Sequence, residues 1–253
     1  MSIKTTDPMK ITFKLWLSLL TLTLCACATD TPSKANKSEK PVPQQQDRST
    51  INQLGKGDFD RIADVEIREN TESLRLLMLK LYKRNPHELK KSTADIAEKM
   101  VTWVFDASAQ HHFKFAEINN LQDTDAIFLA FNPNFTGDRV LSFIVGMHTM
   151  LLKAHNDKTD FYFNDTLNPQ HIYNVARNIE IAAWKLSNAR NENGALYLLS
   201  NEINDKEKNL SFEREFGKMI GRTDLYAIAL AEKSQRFISR VMQNLATALF
   251  LPF

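Results

Sequence analysis

Between Asp58 and Phe253 the chain repeats one pattern: apolar residues at three- and four-residue spacing, cut into segments by prolines at 86, 133, 169 and 252. Apolar groups so spaced share one face of a helix. Proline is tolerated in the first helical turn and disfavoured inside, so each of these four marks a helix boundary. Alternating stretches that would read as strands are nearly absent. Phe113–Phe115 and Phe161-Tyr162-Phe163 are the best extended candidates. The expected fold class is therefore all-α, a bundle of six to eight helices.

The segments can be placed one by one. Asp60–Arg84 runs from an acidic half (Asp64, Glu66, Glu69, Glu72) to a basic one (Arg75, Lys80, Lys83, Arg84), which suits the helix dipole. Its apolar stripe is Ile67, Leu74, Leu77, Met78 and Leu81. A second helix is expected from a Ser92/Thr93 cap, with Ile96, Met100, Trp103 and Val104 on one face. Asp123 is placed as the cap of a short helix ending before Asn132-Pro133. Asp138 is placed as the cap of Arg139–His155, whose centre is nearly all apolar but too short to cross a bilayer. Gly146 lies mid-helix, where it costs about 1 kcal/mol relative to Ala unless another helix comes close. Asn168-Pro169 opens a helix to about Arg190, with Ile172, Val175, Ile179, Ala183 and Leu186 on its face. Two helices are expected to close the chain: Phe212–Ile220, stopped by Gly221, and Thr223–Leu251, with Phe237, Val241, Leu245 and Leu249 along one side.

Ahead of this domain the composition changes. Residues 28–57 are mostly Thr, Ser, Lys, Asn, Gln and Pro, with Val42 set between two prolines, and only Ile51 and Leu54 could pack. Such a segment cannot offset the entropy of ordering, so a disordered tether is expected. Residues 1–26 carry Lys4, Lys10 and Lys14 and then the apolar run Leu15–Leu24, a secretory leader in form. The true start is Met1 or Met9, since Met9 opens a complete short leader by itself. A core helix over Leu15–Ala26 is disfavoured because the polar segment that follows gives it nothing to pack on.

The leader ends in Leu24-Cys25-Ala26-Cys27, followed by Ala28. Leu at −3, a small residue at −1 and Cys at +1 resemble the lipobox of bacterial lipoproteins. The resemblance covers only the first 28 residues. It implies cleavage before Cys27, lipidation of Cys27, and a membrane partner reached through that lipid anchor. Ala28 in place of Asp at the second mature position implies the outer membrane, with the domain facing the periplasm. The division is then 1–26 signal peptide, 27–57 lipidated tether, 58–253 helical domain.

Charge follows from that division. The whole chain has 32 Lys and Arg against 30 Asp and Glu. Removing the leader's three Lys and one Asp leaves 29 of each, a neutral chain. Without a cationic excess there is no counterion release to drive nucleic-acid binding, and nucleic acid is not an expected partner.

Chemistry is sparsely signalled. Seven glycines leave no dinucleotide fingerprint, P-loop or nucleophile elbow, and the two cysteines, Cys25 and Cys27, precede the domain. The six histidines form no H-E-x-x-H and no E-x-x-H. His111 and His112 are adjacent, so their rings diverge on a helix. His148 and His155 lie seven apart and can share a face of the core helix, either as a metal or proton-transfer pair or as one core histidine and one at a helix C-terminus. Glu72-Ser73 is similar to the Glu-Ser pair of lytic transglycosylases. That family's Gly-Leu-Met-Gln run and later Asn-Tyr-Asn segment are missing, and Glu72 has an i,i+3 partner in Arg75. Asp123 and Asp125 are helix-start residues. Arg177, Asn178 and Glu180 suggest a buried polar network. The sixteen phenylalanines, among them Phe128, Phe131, Phe135, Phe161 and Phe163, are expected in the core unless several line a groove, where they would mark a peptide or acyl-chain site.

No catalytic residue, metal site or cofactor is expected. The expected role is a binding or envelope-assembly module with an envelope protein as partner. The alternatives are a binder of lipid or a small apolar ligand within the bundle, and an envelope hydrolase without a recognisable motif.

Overall fold

The apolar stripe of the first helix faces inward in the computed structural model, which describes residues 55–204, 208–236, 238 and 249–253. The leader, the lipobox with Cys27, and the tether up to residue 54 lie outside the described residues, as does most of the expected Thr223–Leu251 helix beyond Arg236. The described residues form an all-α bundle of eight α-helices: α1 (Asp58–Arg84), α2 (Pro86–Ser92), α3 (Ala97–Asp106), α4 (Ser108–His111), α5 (Asp123–Ala130), α6 (Arg139–Ala154), α7 (Pro169–Asn188) and α8 (Ser211–Ser234). A two-residue antiparallel pair, Glu202–Ile203 with Lys208–Asn209, is the only ladder among them. No helix among the described residues is long and apolar enough to cross a membrane.

Helix α6 is the hub. Val140 through Leu151 are all buried, and α1, α5 and α7 pack around the helix. Its N-terminus is capped as its sequence suggests: Asp138 Oδ1 accepts from Val140 N at 2.9 Å and Leu141 N at 3.0 Å. Gly146 permits the close approach its position demands. A Cβ there would stand 2.6 Å from the Asp123 carbonyl oxygen and 2.7 Å from Ile127 N, both backbone atoms of α5. Helices α1 and α8 run antiparallel, with Lys233 Nζ 4.7 Å above the Phe59 ring at one end and Lys80 Nζ 4.4 Å above Phe212 at the other. Asn168 caps α7 by accepting from Gln170 N, with Pro169 in the first turn.

Several boundaries differ from expectation, each for a local reason. Ser92 ends α2, and its hydroxyl donates to Asp138 Oδ2 at 2.8 Å, so it caps nothing downstream. Helix α3 begins after Ile96, and its buried face is Met100, Val101, Val104 and Phe105. Ile96 and Trp103 are exposed. Gln122 is the cap residue of α5, and Asp123 is its first residue, held at φ 53° by donation of its N–H to Thr149 Oγ1. Gly221 does not stop a helix. Helix α8 passes through Gly217 and Gly221 because Phe212, Phe216, Met219, Thr223, Tyr226 and Leu230 give it one continuous buried face. Gly55–Gly57, at the end of the expected tether, are fastened to the domain: Gly55 O accepts from Phe163 N at 3.1 Å, and Lys56 is ion-paired with Asp64 and Asp160.

The two kinds of helical glycine separate cleanly. Gly146→Ala is expected to lower stability in urea unfolding by about 1–3 kcal/mol, because the added methyl meets backbone that cannot yield. Gly221→Ala, with open space around it, should instead gain about 1 kcal/mol. Equal effects at the two sites would contradict this packing.

Candidate functional site

A cleft of about 670 Å³ opens where three separated stretches meet: the α1–α2 junction, the loop before α6, and the loop after α7. Its floor is Glu88, which is buried but not idle. Glu88 Oε2 accepts from Arg139 N at 2.7 Å, while Oε1 takes Lys91 Nζ at 2.7 Å and faces His87 Nε2 at 2.9 Å. One wall is Arg139, whose guanidinium donates to the carbonyls of Ala130, Asn132 and Phe135 at 2.6–2.9 Å and lies 4.5 Å from the Tyr197 ring centroid. Burial pulls the Arg139 pKa below its ordinary value, but its carbonyl cage still suits a cation. Asn85 fixes the opposite side by bonding both ways with the backbone of Leu199, at 2.8 and 2.9 Å.

Behind this floor Asp138 is wholly buried. Its Oδ2 accepts from Tyr82 Oη and Ser92 Oγ, both at 2.8 Å, while Oδ1 caps α6. Burial raises the Asp138 pKa, and those donors oppose the shift. The cleft thus combines exposed His87, partly exposed Lys91, side-chain amides of Asn134 and Asn191, and the aromatic Tyr197 and Phe135 on a rigid base. Such a surface can hold a polar or anionic group by hydrogen bonds and ring contact. The Glu88 carboxylate has donors on both oxygens, which suits it to positioning and not to taking a proton from substrate.

The sequence-derived candidates fall elsewhere. His148 and His155 both lie on the buried side of α6, about 10 Å apart along its axis. They do not share partners. Thr71 Oγ1 donates to Ile67 O, so it accepts from His148 Nε2 at 3.2 Å. His148 Nδ1 is left among the rings of Phe105 and Phe113. Burial first, and the Arg75 charge second, push the His148 pKa down to about 3. His155 ends α6. Its Nδ1 donates to Leu151 O at 2.8 Å, and its Nε2 stands 3.0 Å from Glu66 Oε2, an ion-pair separation without the alignment of a hydrogen bond.

Glu72 is exposed and pairs with Arg75 at 3.8 Å, while Ser73 accepts from Arg222. Arg177 joins Glu180 at 3.1 Å and Asp224 of α8, whereas Asn178 belongs to a different contact. Among the described residues no group of three or more His, Cys, Asp or Glu is placed to hold a metal ion.

Missed altogether was a buried network centred on Glu66. Glu66 Oε1 accepts from Asn70 and from Thr223 Oγ1 at 2.6 Å. Arg222 donates to Asn70 Oδ1 at 3.0 Å and Ser73 Oγ at 2.7 Å. A signal existed, since Glu66, Asn70 and Ser73 recur at four- and three-residue spacing beside the apolar stripe of α1. The chain matches no family model, and no curated protein or solved structure is significantly similar to it.

His148 carries an acid-stability signature. Its folded-state pKa lies below the ordinary value near 6.5, so the unfolded chain takes up a proton that the folded chain refuses. Stability is present above about 6.5 and is lost as pH falls toward about 3. Between pH 7 and 4.5, urea unfolding of His148→Met is expected to lose about 1–3 kcal/mol less than the unsubstituted chain. Parallel losses in the two proteins would contradict the assignment.

Proposed function

We propose that this chain is an outer-membrane lipoprotein, anchored through Cys27 and facing the periplasm, whose helical domain binds an envelope protein or serves in envelope assembly. The observation that carries the anchoring is the order of the first 28 residues: basic leader, apolar run, Leu24-Cys25-Ala26-Cys27, then Ala28. Three acyl chains at one cysteine hold far more firmly than one, at about 0.8 kcal/mol for each buried CH₂. The binding role is supported by the cleft at the α1–α2 junction, where cationic, amide and aromatic groups converge on a base fixed by Asp138 and Glu88.

Packing of α6 weighs against an apolar ligand within the bundle. Its middle residues are buried against neighbouring helices, and Gly146 is pressed on the backbone of α5. A ligand there would have to displace core side chains at native density. The cleft, by contrast, is open and polar without any rearrangement.

Metabolic labelling with palmitate tests the anchor. The unsubstituted chain is expected to label and to fractionate with the outer membrane, and Cys27→Ala to do neither; equal labelling of both would sink the proposal. For the binding role, crosslinked membranes should yield a stoichiometric protein partner whose recovery drops several-fold with Lys91→Glu. Recovery unaffected by that charge reversal would remove the cleft from the account.

A further inference from the structure

The segment Leu249–Phe253 lies across three helices as an extended strap. Asn178 of α7 bonds the backbone of Leu251 in both directions, its Nδ2 donating to Leu251 O at 2.8 Å and its Oδ1 accepting from Leu251 N at 2.6 Å. One turn away, Asn174 Nδ2 donates to Pro252 O at 2.7 Å. The Phe250 ring meets Phe128 of α5 edge-on, with centroids 4.9 Å apart, and the Phe253 ring lies 5.4 Å from Lys153 Nζ of α6. The strap remains outermost: Leu249 and Pro252 are exposed, and Phe250, Leu251 and Phe253 are half-buried.

This geometry is that of peptide recognition. Main-chain groups are read by side-chain amides much as a neighbouring strand would read them, and two aromatic side chains three residues apart, Phe250 and Phe253, supply the anchors. Leu251 precedes Pro252, which biases its backbone toward the extended form before binding and so lowers the entropy lost on docking. Asn85 holds Leu199 by the same two-way amide contact, so the device alone marks an anchoring point. The Asn178 contact differs because its segment also brings two aromatic anchors, one of them seated on Phe128, an aromatic that is itself 41% exposed.

We infer that the surface formed by Phe128, Lys153, Asn174 and Asn178 is a binding groove for an extended peptide of the pattern aromatic–aliphatic–Pro–aromatic, occupied in cis by residues 250–253 of this chain. The strap is then a built-in competitor, and a partner segment of the same pattern enters by displacing it. Neither the anchoring through Cys27 nor the polar cleft is required for this groove to operate.

The test uses the full-length chain and a fluorescein-labelled peptide, Leu-Phe-Leu-Pro-Phe on a Gly-Ser linker, read by fluorescence anisotropy. A strap tethered in cis competes at an effective concentration on the order of millimolar. Loosening it should therefore strengthen probe binding at least about tenfold. Two variants loosen it differently: Phe250→Ala removes the anchor on Phe128, and Leu251→Pro removes the N–H that Asn178 accepts. Both are expected to bind the probe at least about tenfold more tightly than the unsubstituted chain. A probe N-methylated at the central leucine should bind either variant about tenfold more weakly, because Asn178 Oδ1 loses its donor. Absence of saturable binding in both variants, at unchanged helix content, would overturn the inference. So would equal binding of the N-methylated probe. Dimerisation of the unsubstituted chain that Phe250→Ala abolishes would seat a second copy's strap in the groove and overturn occupancy in cis.

Discussion

One buried carboxylate ties this domain together. Asp138 has no exposed surface, and all four of its contacts are donors: two backbone N–H groups of α6, the Tyr82 hydroxyl of α1 and the Ser92 hydroxyl of α2. A carboxylate taken out of water is costly unless such donors replace the lost hydration. Here they do so from three elements at once, so the same group that starts α6 also fixes the angle at which α1 and α2 meet it. The next residue continues the work. Arg139 donates to the carbonyls of Ala130, Asn132 and Phe135 at the end of α5 and in the loop that follows, and its own N–H is taken by Glu88.

The other polar joints follow the same logic on different helices. Glu66 binds Asn70 and Thr223 and faces His155, joining α1, α8 and the end of α6. Arg177 with Glu180 and Asp224 joins α7 to α8. Non-directional apolar contacts would leave the helices free to slide, whereas these directional contacts fix one helix against the next. A base held so firmly gives the open cleft its fixed shape. It also gives the strap over α5, α6 and α7 a fixed surface to lie on.

What could be read ahead of the structure was local. The Asp138 cap was legible from Gly137-Asp138 before an apolar run, and the close approach at Gly146 from the penalty a glycine carries inside a core helix. The start of α7 was legible from Asn168-Pro169. The stripe Ile67, Leu74, Leu77, Met78 and Leu81 is buried throughout. Continuity of α8 through two glycines was not legible, because an unbroken buried face on other residues overrides a local propensity. Neither was the cleft, whose walls come from residues 84–91, 133–139 and 191–199 and meet only through the topology. Asn178 and Leu251 stand 73 positions apart, and no periodicity connects them. His155 read as a possible partner of His148, yet its carboxylate came from another helix, at Glu66.

Asp138 joins three helices through one side chain. Equilibrium unfolding of Asp138→Ala in urea addresses it directly. The expected loss is about 3–5 kcal/mol, since the substitution removes a helix cap and leaves the buried Tyr82 hydroxyl without a partner. A loss below about 1 kcal/mol, the size of an ordinary surface cap, would contradict it.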